Sequence, residues 1–212
     1  MRITIIHGFN ATPESNFIPW LRKELVDRGY EVSVPHLPLK TGEPIEMQPL
    51  LETMFQEIGV LDQNDIVLGH SLGGALALRY LEYVELKSTP RAFVLVAAPW
   101  KVNHPDMQAL FMTDLDYDVL PWKASEFVVV HGSDDDVVPF DHAKKWAEVL
   151  KARLIDADGN GHYTGEEYPI LLETIEHITH HPIAYAPGAS IPDELAAVGG
   201  EKVREEDDDV VM

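Results

Sequence analysis

Apolar, β-branched residues gather in six short runs, at Arg2–His7, Glu31–Pro35, Ile66–Gly69, Ala92–Ala97, Phe127–His131 and Arg153–Asp156. Their length and composition predict strands. Between the runs lie longer amphipathic segments that predict helices. These cover about Pro19–Arg28, ending at Gly29; Glu46–Ile58, ending at Gly59; Leu72–Leu86; Asp141–Lys151; and Glu166–His180, stopped by Pro182. Pro19 suits a first helical turn, where its missing N–H is no loss, so the first helix is placed to begin there rather than at Thr12.

Strands that alternate with helices imply parallel neighbours joined by right-handed crossovers, and nearly continuous apolar strands suit a sheet covered on both faces. The expected fold is α/β: a doubly wound, mostly parallel six-stranded sheet flanked by helices. Ligands bind such sheets beyond the carboxyl ends of the strands. The loops at Gly8, His70, Ala98, Gly132 and Asp158 should therefore share one rim. Neither an internal repeat nor a second domain is visible. Residues 1–182 are read as the domain, and residues 183–212, with Pro187-Gly188, Gly199-Gly200 and the run Glu205 to Asp209, as an acidic, flexible tail.

At 212 residues and 45% hydrophobic content, the chain can bury one substantial core. No apolar run approaches a membrane span, and Met1 leads straight into a strand pattern without a signal-peptide signature, so a soluble, cytoplasmic protein is expected. The absence of Cys excludes disulfides, a thiolate nucleophile and thiolate metal sites. Acidic residues number 36 against 16 basic ones, a formal charge of −20 that repels phosphate backbones and anionic lipids. Nucleic acid and membrane partners are not expected; solubility is the simplest use of the charge.

Gly69-His70-Ser71-Leu72-Gly73 fits the Gly-x-Ser-x-Gly nucleophile elbow, and it stands where the motif requires, after the strand Ile66-Val67-Leu68 and at the opening of a helix. A sharp strand-to-helix turn needs glycine on either side of Ser71, because a Cβ there would crowd the backbone. A serine hydroxyl is a weak nucleophile and needs a base from another loop of the rim. His162, in Gly159-Asn160-Gly161-His162 between the last strand and the last helix, is placed for it. The other nine histidines fit less well. His177, His180 and His181 lie near a helix end, where cations suit the dipole; His142 starts a helix; His36 and His104 lie in loops; His7 and His70 read as rim supports. The imidazole needs a carboxylate, and Asp134, Asp135 and Asp136 are all candidates immediately after a strand. Asp114-Leu115-Asp116-Tyr117-Asp118 imitates a calcium loop but has Val119 and Ser125 where Gly and Glu belong, so no metal site is assigned. For the oxyanion hole, the backbone amides of Leu72, after the nucleophile, and Phe9, after the first strand, fit.

Taken together, these residues resemble the small, lid-poor α/β-hydrolases of the retinoblastoma-binding protein 9 and YdeN group. The resemblance covers roughly residues 2–180. It rests on His7-Gly8-Phe9, Phe17-Ile18-Pro19-Trp20-Leu21, the elbow with Arg79-Tyr80 further along its helix, Val94-Leu95-Val96, Gly132 to Asp136, and Gly161-His162. It implies a sheet without the two leading strands of larger α/β-hydrolases, and a triad carried over onto Ser71, Asp135 and His162. Among the three acids, only Asp135 satisfies the Gly-x-x-Asp-x-x-Val-Pro pattern these proteins show. The order Ser, Asp, His along the chain is also theirs. The retinoblastoma-binding Leu-x-Cys-x-Glu element cannot exist without Cys, so that partner does not transfer.

The expected activity is cofactor-free hydrolysis of an acyl bond through an acyl-enzyme, with a small carboxylic ester as the substrate class. Any cap must lie in the short segment Ala98–Ser125, where Trp100, Phe111, Met112 and Trp122 are candidates for a pocket wall, beside Met107 and Tyr117. Two alternatives stand beside it. One is amide or aminopeptidase-like cleavage; the other is a non-catalytic binding protein on the same scaffold.

Overall fold

A computed structural model describes residues 1–181. The proposed tail therefore lies outside the described residues. Six strands, β1 (Arg2–Ile6), β2 (Glu31–Ser33), β3 (Asp65–His70), β4 (Ala92–Val96), β5 (Phe127–His131) and β6 (Arg153–Asp156), form one sheet in the order β2-β1-β3-β4-β5-β6. Every pairing is parallel, with Ile6 beside Gly69, His70 beside Val96, and His131 beside Asp156 at the carboxyl edge. The helices are α1 (Ile18–Asp27), α2 (Met47–Ile58), α3 (Leu72–Tyr83), the single turn α4 (Gln108–Phe111), α5 (Phe140–Leu150) and α6 (Pro169–His180).

Side chains alternate across the sheet, which is why the central strands are apolar throughout. In β4, Phe93 and Leu95 pack with α2, α3 and α5, whereas Ala92, Val94 and Val96 pack with Phe17, Ile18, Leu21 and Leu25 around α1 and with Leu171, Ile175 and Ile178 of α6. β1, β3 and β5 repeat the pattern: Ile6, Val67 and Val129 face the first layer, and Ile3, Ile5, Ile66, Leu68, Val128 and Val130 the second.

Local chemistry sets the ends of elements. Pro19 occupies the first turn of α1, where its ring is tolerated. α3 stops at Tyr83, three residues earlier than its pattern suggests, because Val84 turns extended and Leu86 bridges to Leu61. α6 begins at Pro169 rather than Glu166; Tyr168, before the proline, is held in an extended conformation. β4 ends at Val96 because Ala97 takes a positive φ of 48°.

In this strand order the direction of winding reverses between β1 and β3. Crevices form at such a switch point, and the loops leaving β1 at His7-Gly8 and β3 at Ser71 meet there.

Candidate active site

Ser71 sits between β3 and α3 with φ 52° and ψ −126°, a conformation that costs a residue with a Cβ on the order of 1–3 kcal/mol. The flanking glycines make it possible. A Cβ on Gly69 would collide with the backbone of Gly73 and Gly74, and one on Gly73 would strike the Ile6 carbonyl of β1. The turn is locked by Ser71 N–H to Val96 O, 2.8 Å, and Gly74 N–H to Ser71 O, 2.9 Å. Gly8 lies directly alongside, where a Cβ would stand 3.1 Å from that of Ser71. The Phe9 loop is thus brought to the hydroxyl. Leu72 is the first residue of α3, so its amide has no acceptor within the helix.

His162 follows β6 on a loop whose bends fall at Gly159, Gly161 and Tyr163, all with positive φ. Three anchors fix it. Oδ1 of Asp134 accepts the amides of Gly159 (3.0 Å) and Gly161 (3.1 Å), the His70 ring donates Nε2–H to the His162 carbonyl (2.9 Å), and Tyr163 is fully buried against Phe17 and Tyr168. Asp135 belongs to the turn after β5, where its Oδ1 accepts the amides of Val137 (2.8 Å) and Val138 (2.9 Å).

The three side chains converge. His162 Nδ1 is 2.8 Å from Asp135 Oδ2, and its Nε2 is 3.0 Å from Ser71 Oγ. Burial alone would raise the pKa of Asp135, but the neighbouring His131 imidazole and the hydrogen bonds from His162 and the amides of Val138 and Val137 outweigh it, holding the carboxyl well below the usual carboxylate range. The ionised carboxylate can only accept, so Nδ1 of His162 carries the proton. The lone pair on Nε2 then faces the serine hydroxyl.

A cavity of about 160 Å³ runs beside α3 from Ala75, one turn beyond Ser71, to Arg79. Trp100, Phe111, Tyr117 and Trp146 wall it, with Trp100 stacked on Tyr117 at 5.3 Å and edge-on to Trp146 at 4.5 Å. Of the four wall candidates, the structure brings Trp100 and Phe111 to this space. Met112 is 78% exposed instead, and Trp122 lies under Lys151, whose Nζ is 4.4 Å from its ring centre. Three roles escaped the sequence reading. Asp134 ties the acid turn to the base loop, Arg79 holds the cap, and His131 contacts Asp135. Only His131 left a signal, a polar ring ending an otherwise apolar strand.

Among the described residues, no group of three or more His, Asp or Glu is placed to hold a metal ion, and no helix is long and apolar enough to cross a membrane. His177 and His181 stack on each other at 4.1 Å.

A parallel sheet with a strained serine at its switch point, an imidazole and a carboxylate from later turns, and helices on both faces defines an α/β-hydrolase fold. More particularly, the profile of the serine hydrolase family matches residues 3–168, and the chain belongs to that family. YdeN of Bacillus subtilis (strain 168) is 28% identical over 173 residues, spanning 78% of this chain and 87% of YdeN. Serine hydrolase RBBP9 of Rattus norvegicus is 22% identical over 162 residues, 74% of this chain and 83% of its own. The crystal structure of the B. subtilis ydeN product superposes with a TM-score of 0.74 at 25% identity, over 85% of this chain and 99% of that one. Est1E of Butyrivibrio proteoclasticus, with bound ferulic acid, shares the fold at a TM-score of 0.63 and 14% identity, over 87% and 90% of the two chains.

Proposed function

We propose that the protein hydrolyses small carboxylic esters through an acyl-enzyme on Ser71. The observation that carries this reading is the continuous hydrogen-bonded line from Ser71 Oγ through His162 to Asp135, with spacings of 3.0 and 2.8 Å. Oγ attacks the acyl carbon as its proton passes to Nε2 of His162. Asp135 stabilises the imidazolium, and the amides of Phe9 and Leu72 receive the oxyanion. Collapse of the tetrahedral adduct breaks the bond to the leaving group, which takes the proton from His162. Water then attacks the acyl-serine, giving its proton to Nε2 and, on the second collapse, returning Ser71 to its hydroxyl form with release of the acid. We assign the acyl group to the cavity beside α3, which begins at Ala75, one helical turn from Ser71; its volume of about 160 Å³ is small against the roughly 300–1,000 Å³ of pockets for drug-sized ligands and suits a compact group.

Ser71→Ala should abolish labelling by a fluorophosphonate probe and lower kcat on p-nitrophenyl acetate by about 10⁴-fold or more. Labelling of the variant at the original rate would reject Ser71 as nucleophile. Short p-nitrophenyl esters should be cleaved faster than the matching anilides; the opposite ranking would replace the ester assignment with an amidase.

A further inference from the structure

His131, the last residue of β5, makes a contact that the three-residue line does not require. Its ring is fully buried, and its Nε2 lies 2.8 Å from the carbonyl of Val138 and 3.3 Å from Oδ2 of Asp135, whose carboxylate is equally inaccessible. A carbonyl oxygen can only accept, so Nε2 carries a proton. The N–H is directed at Val138 O, and Oδ2 of Asp135 lies beside it at 3.3 Å, close to its positive end. Asp135 thereby has three hydrogen-bond donors, two amides on Oδ1 and the His162 imidazole on Oδ2, with the His131 N–H as a fourth, electrostatic contact on Oδ2. We propose that His131 is a positioning residue, whose Nε2–H holds Oδ2 of Asp135 in line with Nδ1 of His162. This rests on the triad reading above.

The physical case is one of degrees of freedom. Two amides fix Oδ1 and one edge of the carboxylate, but Oδ2 can still swing about that edge. A second electropositive contact on Oδ2 restrains this motion. The same N–H reaches Val138 O and closes the turn from the end of β5 to the residue before Pro139, so ring and turn brace each other. Phe140, edge-on to the imidazole at 5.8 Å and 73°, sets the plane of the ring. Rigid support of an orienting carboxylate matters because small displacements of a catalytic hydrogen bond cost large factors in rate. His131 does not line the cavity, so its loss should act on kcat rather than on KM.

The experiment compares His131→Leu, His131→Asn and His131→Gln in the full chain. Leucine has no donor, and the asparagine amide matches the ring's Nδ1 side and cannot reach Asp135. Glutamine places an N–H near Nε2. The Leu and Asn variants should label with fluorophosphonate about 10- to 100-fold more slowly, with kcat on p-nitrophenyl acetate reduced alike and KM within about twofold. Glutamine should recover most of the rate. In an Asp135→Ala background His131→Leu should cost nothing more, because its effect passes through the carboxylate; a purely structural residue would go on costing activity there. Wild-type rates in the Leu and Asn variants, or an undiminished penalty in the Asp135→Ala background, would overturn the proposal. Asp135→Ala alone tells the two readings apart: if it labels at the wild-type rate, the triad assignment itself fails. If Leu unfolds, the Asn and Gln pair decides the matter.

Discussion

Histidines stand at or just past the carboxyl ends of three strands, His7 after β1, His70 closing β3 and His131 closing β5, and each is committed to one backbone partner set. His7 accepts the Leu37 amide on Nε2 (3.1 Å), so its Nδ1–H goes to Gly8 O (2.9 Å) and steadies the turn before Phe9. Burial lowers the pKa of His7, an effect its bond to Gly8 only partly offsets. For His70, burial is the leading cause of a pKa pushed down to about 4, against an opposing hydrogen bond to the His162 carbonyl. The unfolded chain takes up that proton near 6.5 and the folded chain only near 4, so acid favours the unfolded state across that interval. The contribution of His70 is whole above about pH 6.5 and has fallen by about 3 kcal/mol once the pH has dropped through 4. His70→Gln keeps an N–H for the His162 carbonyl but cannot titrate. Urea unfolding at pH 7 and pH 4.5 should show wild type losing stability faster than the variant; parallel losses would place the acid sensitivity in other groups.

Between β4 and β5 the chain forms only single helical turns, α4 among them, and α3 holds it down. The guanidinium of Arg79 on α3 donates to Leu110 O through Nε (3.0 Å) and Nη2 (2.9 Å), also to Thr113 O, and pairs with Glu82, which accepts the Asp116 amide (2.9 Å). Arg79→Ala should lower stability by about 2 kcal/mol and raise KM for esters more than it lowers kcat, since the cap forms a wall of the cavity and not the hydroxyl line. Arg79→Lys, a single point charge in place of a planar fork, should recover only part of this. A KM left unchanged by Arg79→Ala would mean that the cap is held by its packing alone. None of this was legible beforehand, because backbone carbonyls carry no residue identity and a single turn such as α4 is too short to show a period. The strands were legible for the opposite reason: burial on both faces leaves unbroken apolar runs. Ser71 and His162 were marked by glycines that the bends require. Asp135 stood out from its acidic neighbours only through a family pattern. His131 passed unnoticed because a histidine closing an apolar run looks like the end of a strand.

Among the described residues, ion pairs are few and mostly exposed, including Arg28 with Glu24 and Glu176, Arg153 with Glu126, and Lys23 with Asp27. Exposed pairs of this kind contribute at most about 1 kcal/mol each. A formal charge of −20 on 212 residues repels itself more strongly when the chain is compact than when it is expanded. Added salt weakens both effects, since the screening length falls from about 30 Å at 0.01 M to about 8 Å at 0.15 M. Repulsion acts between charges on all sides of the molecule, whereas the pairs act over about 3 Å, so screening removes more repulsion than attraction. The thermal midpoint should therefore rise between 10 and 300 mM NaCl by roughly a few degrees, on the scale of about 1 kcal/mol, and level off above that range. Kinetics should follow the same sign: a cationic choline ester should lose kcat/KM with salt relative to a neutral ester of the same acid, because the field that attracts it is screened. A midpoint that falls as salt is added would show that the surface pairs outweigh the net charge.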